Sequence, residues 1–208
     1  MSSDPRPLLI NAANHFYQRG WMAGTGGNLS ARMPDGSLWI TASGRPKGQL
    51  TPTDFIRMSV GGHILEQPRA EYKPSAETSI HLAVYQTFPE AQACYHIHSI
   101  EAKLVSRFTT EDYLALPPIE MIKVFGIWEE SPKVLLPLFP NYLEVPKIAQ
   151  LIIERFQANP PRISALLIRD HGVTVWANSQ ETAYNHVETI EYIFRYMVTA
   201  RQMQFQAH

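Results

Sequence analysis

Two histidines separated by one residue, His96-Ile97-His98, are the sharpest chemical feature of the chain. In a strand, residues two apart point to the same face, roughly 6.6 Å apart along the chain. Two imidazoles so placed can share one metal. Each would reach a zinc-like ion at roughly 2.0–2.1 Å, and a third ligand from elsewhere would leave one coordination position open for substrate. His171, in Asp170-His171-Gly172, is the best third candidate. There the glycine lets the backbone bend and the imidazole project from a sheet edge. A His-x-His pair taken alone fits ordinary polar packing as well. His15 and His186 read as helix-face residues, His81 as facing solvent or a neighbour, and His63 and His208 as hairpin and tail residues. None of these is offered as a ligand.

Three further clusters could converge on an anion: Gly26-Gly27-Asn28, Ser43-Gly44 and Ser75. Glycine loops allow close backbone approach, while a helix N-terminus adds unpaired N–H donors and the positive end of its dipole. Each cluster alone reads first as a turn or cap, and the spacing matches neither the dinucleotide fingerprint nor the nucleotide-triphosphate loop. Only their sum suggests a phosphate site. Two acids sit where chemistry could use them. Glu77 follows Ser75 by two residues, where a helix dipole would favour a carboxylate on structural grounds too. Glu120 follows two prolines in Pro117-Pro118-Ile119-Glu120-Met121-Ile122-Lys123, an apolar stretch in which a buried carboxylate would be costly without a partner.

The elements that must position these groups can be read from periodicity. Leu8, Leu9, Ala12, Ala13 and Phe16 recur at helical spacing before Gly20, which predicts an opening amphipathic helix with a glycine cap. Asn28 to Met33 alternates, turns at Pro34-Asp35-Gly36 and returns through Leu38 to Thr41 as a hairpin. Phe55 to Val60 and His63 to Glu66 around Gly61-Gly62 predict a second hairpin. Ser75 reads as the N-cap of a helix carrying Ile80, Val84 and Phe88 until Pro89. Ala93 to His98 reads as a buried strand, Ala102 to Phe108 as a short helix, Val134 to Phe139 as a strand and Val145 to Phe156 as a helix. Ser164 to Ile168 and Val173 to Ala177 flank the Asp170-His171-Gly172 turn as strands, and Ser179 caps a long C-terminal helix. Hairpins mixed with helical crossovers predict a three-layer α/β/α sandwich around a mixed, largely antiparallel sheet.

The bulk properties bound the function. With 208 residues, one cysteine (Cys94) and 45% apolar residues, the chain is expected to form one domain over 1–208. A formal net charge of -1 supplies no field that would gather a polyanion, so general nucleic-acid binding is not expected. A lone cysteine, no secretory pattern at the N-terminus and no apolar run near the roughly 20 residues of a membrane helix make the cytoplasm the expected compartment.

Gly27-Asn28-Leu29-Ser30, Thr41-Ala42-Ser43-Gly44, Lys73-Pro74-Ser75-Ala76-Glu77, His96-Ile97-His98 and His171-Gly172 occur in one order along the chain. In that order they resemble the class II aldolase family of metal-dependent sugar-phosphate enzymes, and the match covers most of the chain. The resemblance implies that His96, His98 and His171 bind one zinc ion per subunit and that Glu77 is the carboxylate near it. It also implies that Gly27, Asn28, Ser43, Gly44 and Ser75 hold the substrate phosphate, with Ala76 standing where aldolases of the family often carry a second serine. The Glu120 segment resembles a dehydratase subgroup, implying that Glu120 is a catalytic acid/base and that the reaction is dehydration of a methylthio-substituted pentulose phosphate. Aldol cleavage and 4-epimerisation are the competing activities, and an adducin-like interaction module is the non-enzymatic one. The partners implied are a small sugar phosphate and further copies of the chain in a homotetramer, with neither nucleic acid nor membrane.

Overall fold

The computed structural model describes residues 4–206; His208 lies outside them. Helix α1 (Arg6–Gln18) buries Leu9, Ala12, Ala13 and Phe16 as one stripe, the spacing an amphipathic helix needs to cover a sheet. Strands β1 (Asn28–Arg32) and β2 (Leu38–Thr41) form the first expected hairpin, with Ser30 opposite Ile40. The second hairpin pairs β3 (Phe55–Met58) with β4 (Ile64–Glu66). Helix α2 (Thr78–Thr87) follows, then β5 (Ala93–Ile97), α3 (Ile100–Val105), β6 (Tyr113–Leu116), β7 (Val134–Phe139) and α4 (Val145–Ala158). The chain closes with β8 (Ala165–Ile168), β9 (Gly172–Ala177) and α5 (Gln180–Gln206). The Ser179 hydroxyl accepts from the Thr182 backbone N–H at 3.0 Å, the expected cap of α5.

Nine strands make one sheet in the order β4-β3-β2-β1-β5-β9-β8-β7-β6, so β5 is its central strand. Every pairing is antiparallel except β7 with β8. That pair runs parallel because α4 carries the chain back between the two strands. Side chains alternate across β5 and so feed two cores. Tyr95 and Ile97 join Phe16, Ile190 and Phe194 under α1, α3 and α5, while Cys94 joins Ile80, Val84, Ile148 and Ile152 under α2 and α4. By the same alternation His96 shares the Cys94 face. The three-layer α/β/α arrangement is therefore present, with the first of the histidines on the α2 side of the central strand.

Three local expectations are corrected. Ser75 does not cap α2: Glu77 occupies the N-cap position without a side-chain cap, and the Ser75 hydroxyl is turned to the Glu77 backbone N–H and the Asn28 amide instead. The short helix begins two residues earlier than its apolar spacing suggests, because the Ser99 hydroxyl caps it by accepting from the Ala102 N–H at 2.9 Å. Strand β6, not expected at all, pairs along the edge with β7.

Candidate metal centre and its polar support

Four side chains from three segments meet at the end of the central strands. His96 lies on β5, His98 one residue beyond its end, His171 in the β8–β9 turn and Glu77 at the start of α2. Glu77 Oε1 lies 2.7 Å from His171 Nε2, 3.3 Å from His98 Nε2 and 3.8 Å from His96 Nε2, and the two Nε2 atoms of His96 and His98 are 2.9 Å apart. One ligand atom from each residue falls within 4.8 Å of all the others.

Backbone contacts make this convergence possible. The His98 N–H donates to the Trp21 carbonyl at 2.8 Å, tying the strand end to the loop after α1. Asp170 takes the left-handed conformation, φ 54, that starts the turn holding His171. Gly172 serves a different purpose from the bend expected of it: a Cβ there would sit 2.1 Å from the Ile97 carbonyl oxygen, so only glycine lets β9 begin that close to β5. Gly27 combines φ +73 with a site where a Cβ would lie 2.7 Å from the His96 carbonyl oxygen.

The electrostatics suit a cation. Burial alone would raise the Glu77 pKa, but its interaction with His96 and the hydrogen bonds from His171 and His98 outweigh it and hold the carboxyl well below the usual carboxylate range. Burial drives the fully buried His96 imidazole well below its usual value, against the pull of Glu77. Neutral imidazole and ionised carboxylate are the protonation states that metal ligation requires. The Thr174 hydroxyl, 2.8 Å from His96 Nδ1, holds that nitrogen outward and leaves Nε2 for the centre. Nitrogens facing one another around a carboxylate cannot all satisfy each other, and a shared divalent cation resolves the conflict. The donor set fits such an ion.

The anion clusters are also neighbours. The Ser43 N–H donates to the Lys73 carbonyl at 2.9 Å and Ala42 bridges Pro74, placing the Ser43-Gly44 loop beside Ser75. The Asn28 amide donates to Ser75 Oγ at 3.1 Å and to the Glu77 carboxylate. Ser43 and Gly44 are exposed, Ser75 is half-buried, and Asn28 and Gly27 are buried. Glu120, expected to need a buried partner, is instead exposed at the start of a 3-10 turn, outside the four-residue cluster. Its neighbour Ile122 is the residue that enters the core.

Two residues near the centre escape sequence reasoning. Of the two expectations for His81, solvent or a neighbour, the second holds, since it is fully buried between Asn28 and Ser30; its place beside the centre is what was not foreseen. The available signal is the i, i+4, i+8 row Glu77, His81 and Tyr85 on one face of α2. Lys47 is 2% exposed, and its ammonium takes only carbonyl partners, Thr25 at 2.8 Å and Arg45 at 2.9 Å, joining the glycine loop to the Ser43-Gly44 loop. Burial lowers its pKa to about 8, with Glu77 opposing. Nothing in its spacing marks it.

Behind His98, Ser99 Oγ donates to Glu191 Oε1 on α5 at 2.8 Å. Burial pushes the Glu191 carboxyl up to about 8 despite that bond. The folded chain holds this proton more tightly than the unfolded chain, so its stabilising effect is complete below the ordinary value of 4.5 and fades as pH rises to about 8. Glu191→Gln is expected to flatten that slope and to raise the melting temperature near pH ~8, by an effect on the order of a few kcal/mol. Parallel melting curves for variant and parent between pH ~5 and ~9 would contradict it.

The layered sheet and the His/His/His/Glu cluster define the class. The chain belongs to the class II aldolase and adducin N-terminal domain family, whose profile matches residues 8–198. It is 58% identical over 202 residues to a Microcystis aeruginosa protein named methylthioribulose-1-phosphate dehydratase, covering 97% of this chain and 98% of that one. A protein of the same name from Leptospira biflexa is 42% identical over 198 residues, 91% of this chain and 94% of that one. Among solved structures, YgbL from Escherichia coli superposes with a TM-score of 0.79 at 28% identity, over 93% of this chain and 88% of that one.

Proposed function

We propose that this chain is a metal-dependent dehydratase that converts 5-methylthioribulose 1-phosphate to 2,3-diketo-5-methylthiopentyl 1-phosphate, a step of methionine salvage. The carrying observation is the convergence of Glu77 with His96, His98 and His171 in a chain so similar end to end to proteins named for that activity. The proposed ligands are the three histidines and the proposed ion is zinc, one per chain, because imidazole donors suit it. Bound there, it would act as a Lewis acid on the oxygens of the substrate's C2 carbonyl and C3 hydroxyl.

The phosphate is assigned to Gly27, Asn28, Ser43, Gly44 and Ser75, with the Lys47 ammonium contributing positive charge behind the two loops. Held there, the substrate presents its C3 hydrogen and C4 hydroxyl to the carboxyl groups. A base takes the C3 proton, the electrons of that bond form the C3–C4 double bond, and the C4 hydroxyl leaves as water after receiving a proton from an acid. The enol then takes a proton at C4 to give the diketone. Glu77 and Glu120 are assigned these proton transfers. The single domain is proposed to work in the cytoplasm as a homotetramer, for which exposed Ile100, Leu104 and Trp128 supply apolar area. No helix among the described residues is long and apolar enough to cross a membrane.

Purified enzyme offered 5-methylthioribulose 1-phosphate, fuculose 1-phosphate and ribulose 5-phosphate is expected to dehydrate the first and leave the others unchanged. Aldol cleavage or epimerisation as the faster reaction would replace this reading with another of the family's chemistries. Light scattering at micromolar concentration should give the mass of four chains, and a monomer would sink the assembly.

A further inference from the structure

A row of buried hydrogen bonds runs from the core to the candidate centre, and its direction is set at one end. A carboxylate only accepts, so the Asn28 amide must turn its NH2 group toward Glu77 Oε2, where it also donates to Ser75 Oγ at 3.1 Å. That orientation leaves Asn28 Oδ1 facing His81 Nε2, which must therefore carry a proton. With its one proton at Nε2, the neutral ring presents a bare Nδ1, and the Ser30 hydroxyl donates to it at 2.7 Å. Ser30 then accepts from the Tyr85 hydroxyl at 2.9 Å; its contact with the Cys94 carbonyl, at 3.4 Å, is the longer one. Ser30 and His81 are fully buried, and Asn28 and Tyr85 nearly so, which leaves water no place in the row. Burial also pushes the His81 pKa down to about 4, which keeps the ring neutral at ordinary pH.

We propose that His81 is a positioning residue: held as the Nε2–H tautomer by Ser30 and Tyr85, it locks the Asn28 amide with its NH2 group toward Glu77 and Ser75. Glu77 is thereby presented with Oε2 fixed and Oε1 toward the three imidazoles. The carboxylate sets the direction of the amide at one end, and the His81 N–H adds the donor that holds Oδ1 at the other; without His81 that oxygen loses its partner and the amide can tilt away from Glu77. The β1–β5 register reinforces the lock, since Asn28 lies directly opposite His96. The inference rests on the reading of this cluster as the reaction centre.

Two measurements on the metal-loaded full chain test it. Nitrogen NMR of the His81 ring should show a protonated Nε2 and a bare Nδ1 at neutral pH; the other tautomer or an imidazolium would overturn the proposal. In kinetics, His81→Phe should lower kcat about 10- to 100-fold with KM changed less and metal content unchanged, and His81→Gln, which can still donate to Asn28, should recover much of the loss. Activity of His81→Phe within twofold of the parent, or no advantage of Gln over Phe, would also overturn it. Should the Phe variant not fold, Ser30→Ala takes its place: the bare-Nδ1 preference should weaken and kcat should fall severalfold, and an unaltered ring and rate would count against the proposal. A parent enzyme inactive on the proposed substrate would sink the functional reading, while the NMR result would still decide the tautomer.

Discussion

Replacing His98 by alanine is expected to remove both the bound ion and the turnover, with metal content falling from one per chain to near zero and the rate to less than roughly a thousandth of the parent. His98 stands between the other donors, 2.9 Å from His96 Nε2 and 3.3 Å from Glu77 Oε1. Its loss leaves two imidazoles and one carboxylate around the centre. The backbone that carries the ring is tied to the Trp21 carbonyl, a bond alanine keeps, so the substitution removes the imidazole and leaves the strand end in place. Elemental analysis and dehydration rate measured on the same preparation check the result. A stoichiometric ion retained with unchanged turnover would show that the histidines are not its ligands. Stripping the ion from the parent with a chelator should lower the melting temperature as well, since a ligand that binds only the folded chain stabilises it by mass action; His98→Ala should melt at the same temperature with and without chelator.

How much of this centre could be read beforehand depends on how local each signal is. His96 and His98 declare themselves because strand periodicity is two residues, and that rule holds without reference to the rest of the chain. His171 is legible only as a histidine in a turn between two strands, and its meeting with the pair depends on β9 pairing with β5, a contact across more than seventy residues. Glu77 carries a conflicting local explanation, the helix dipole, and only the fold shows its carboxylate aimed at three imidazoles. His81 is hidden by its neighbours: the Ile80, Val84 and Phe88 row is the obvious apolar stripe of α2, yet a helix lying flat on a sheet under a second helix buries more than one stripe. Lys47 has no readable pattern, since a lysine between Pro46 and Gly48 reads as a solvated loop residue until its ammonium is found capped by two carbonyls. The layered architecture was legible because hairpin turns and helix periods are local, whereas β6 was not: its four residues make a short edge strand whose partner begins at Val134.

Glu120→Gln is expected to cut dehydration by roughly 10²–10⁴ while leaving metal content and melting temperature unchanged. The side chain is exposed and stands outside the metal cluster, so the substitution alters neither the ligands nor the core. Its backbone is nevertheless held, because Ile122 is buried in the core two residues on and Ile119 and Met121 pack against that core. A carboxyl group on an anchored turn, without a hydrogen-bond partner among the described residues, is suited to meet a substrate hydroxyl that arrives with the ligand. Glu77 is the opposite case. Its two oxygens are already committed to the imidazoles and to Asn28, so Glu77→Gln would replace an accepting oxygen with a donor beside those groups and should change metal affinity together with rate. The pair of variants therefore separates the two roles: loss of rate with the ion intact marks a group that only moves protons, and loss of both marks one that also serves the ion. Near-normal dehydration by Glu120→Gln would take the proton transfers away from Glu120 and place them on Glu77, whose position against the histidines already gives it the shorter reach to an atom bound at the centre.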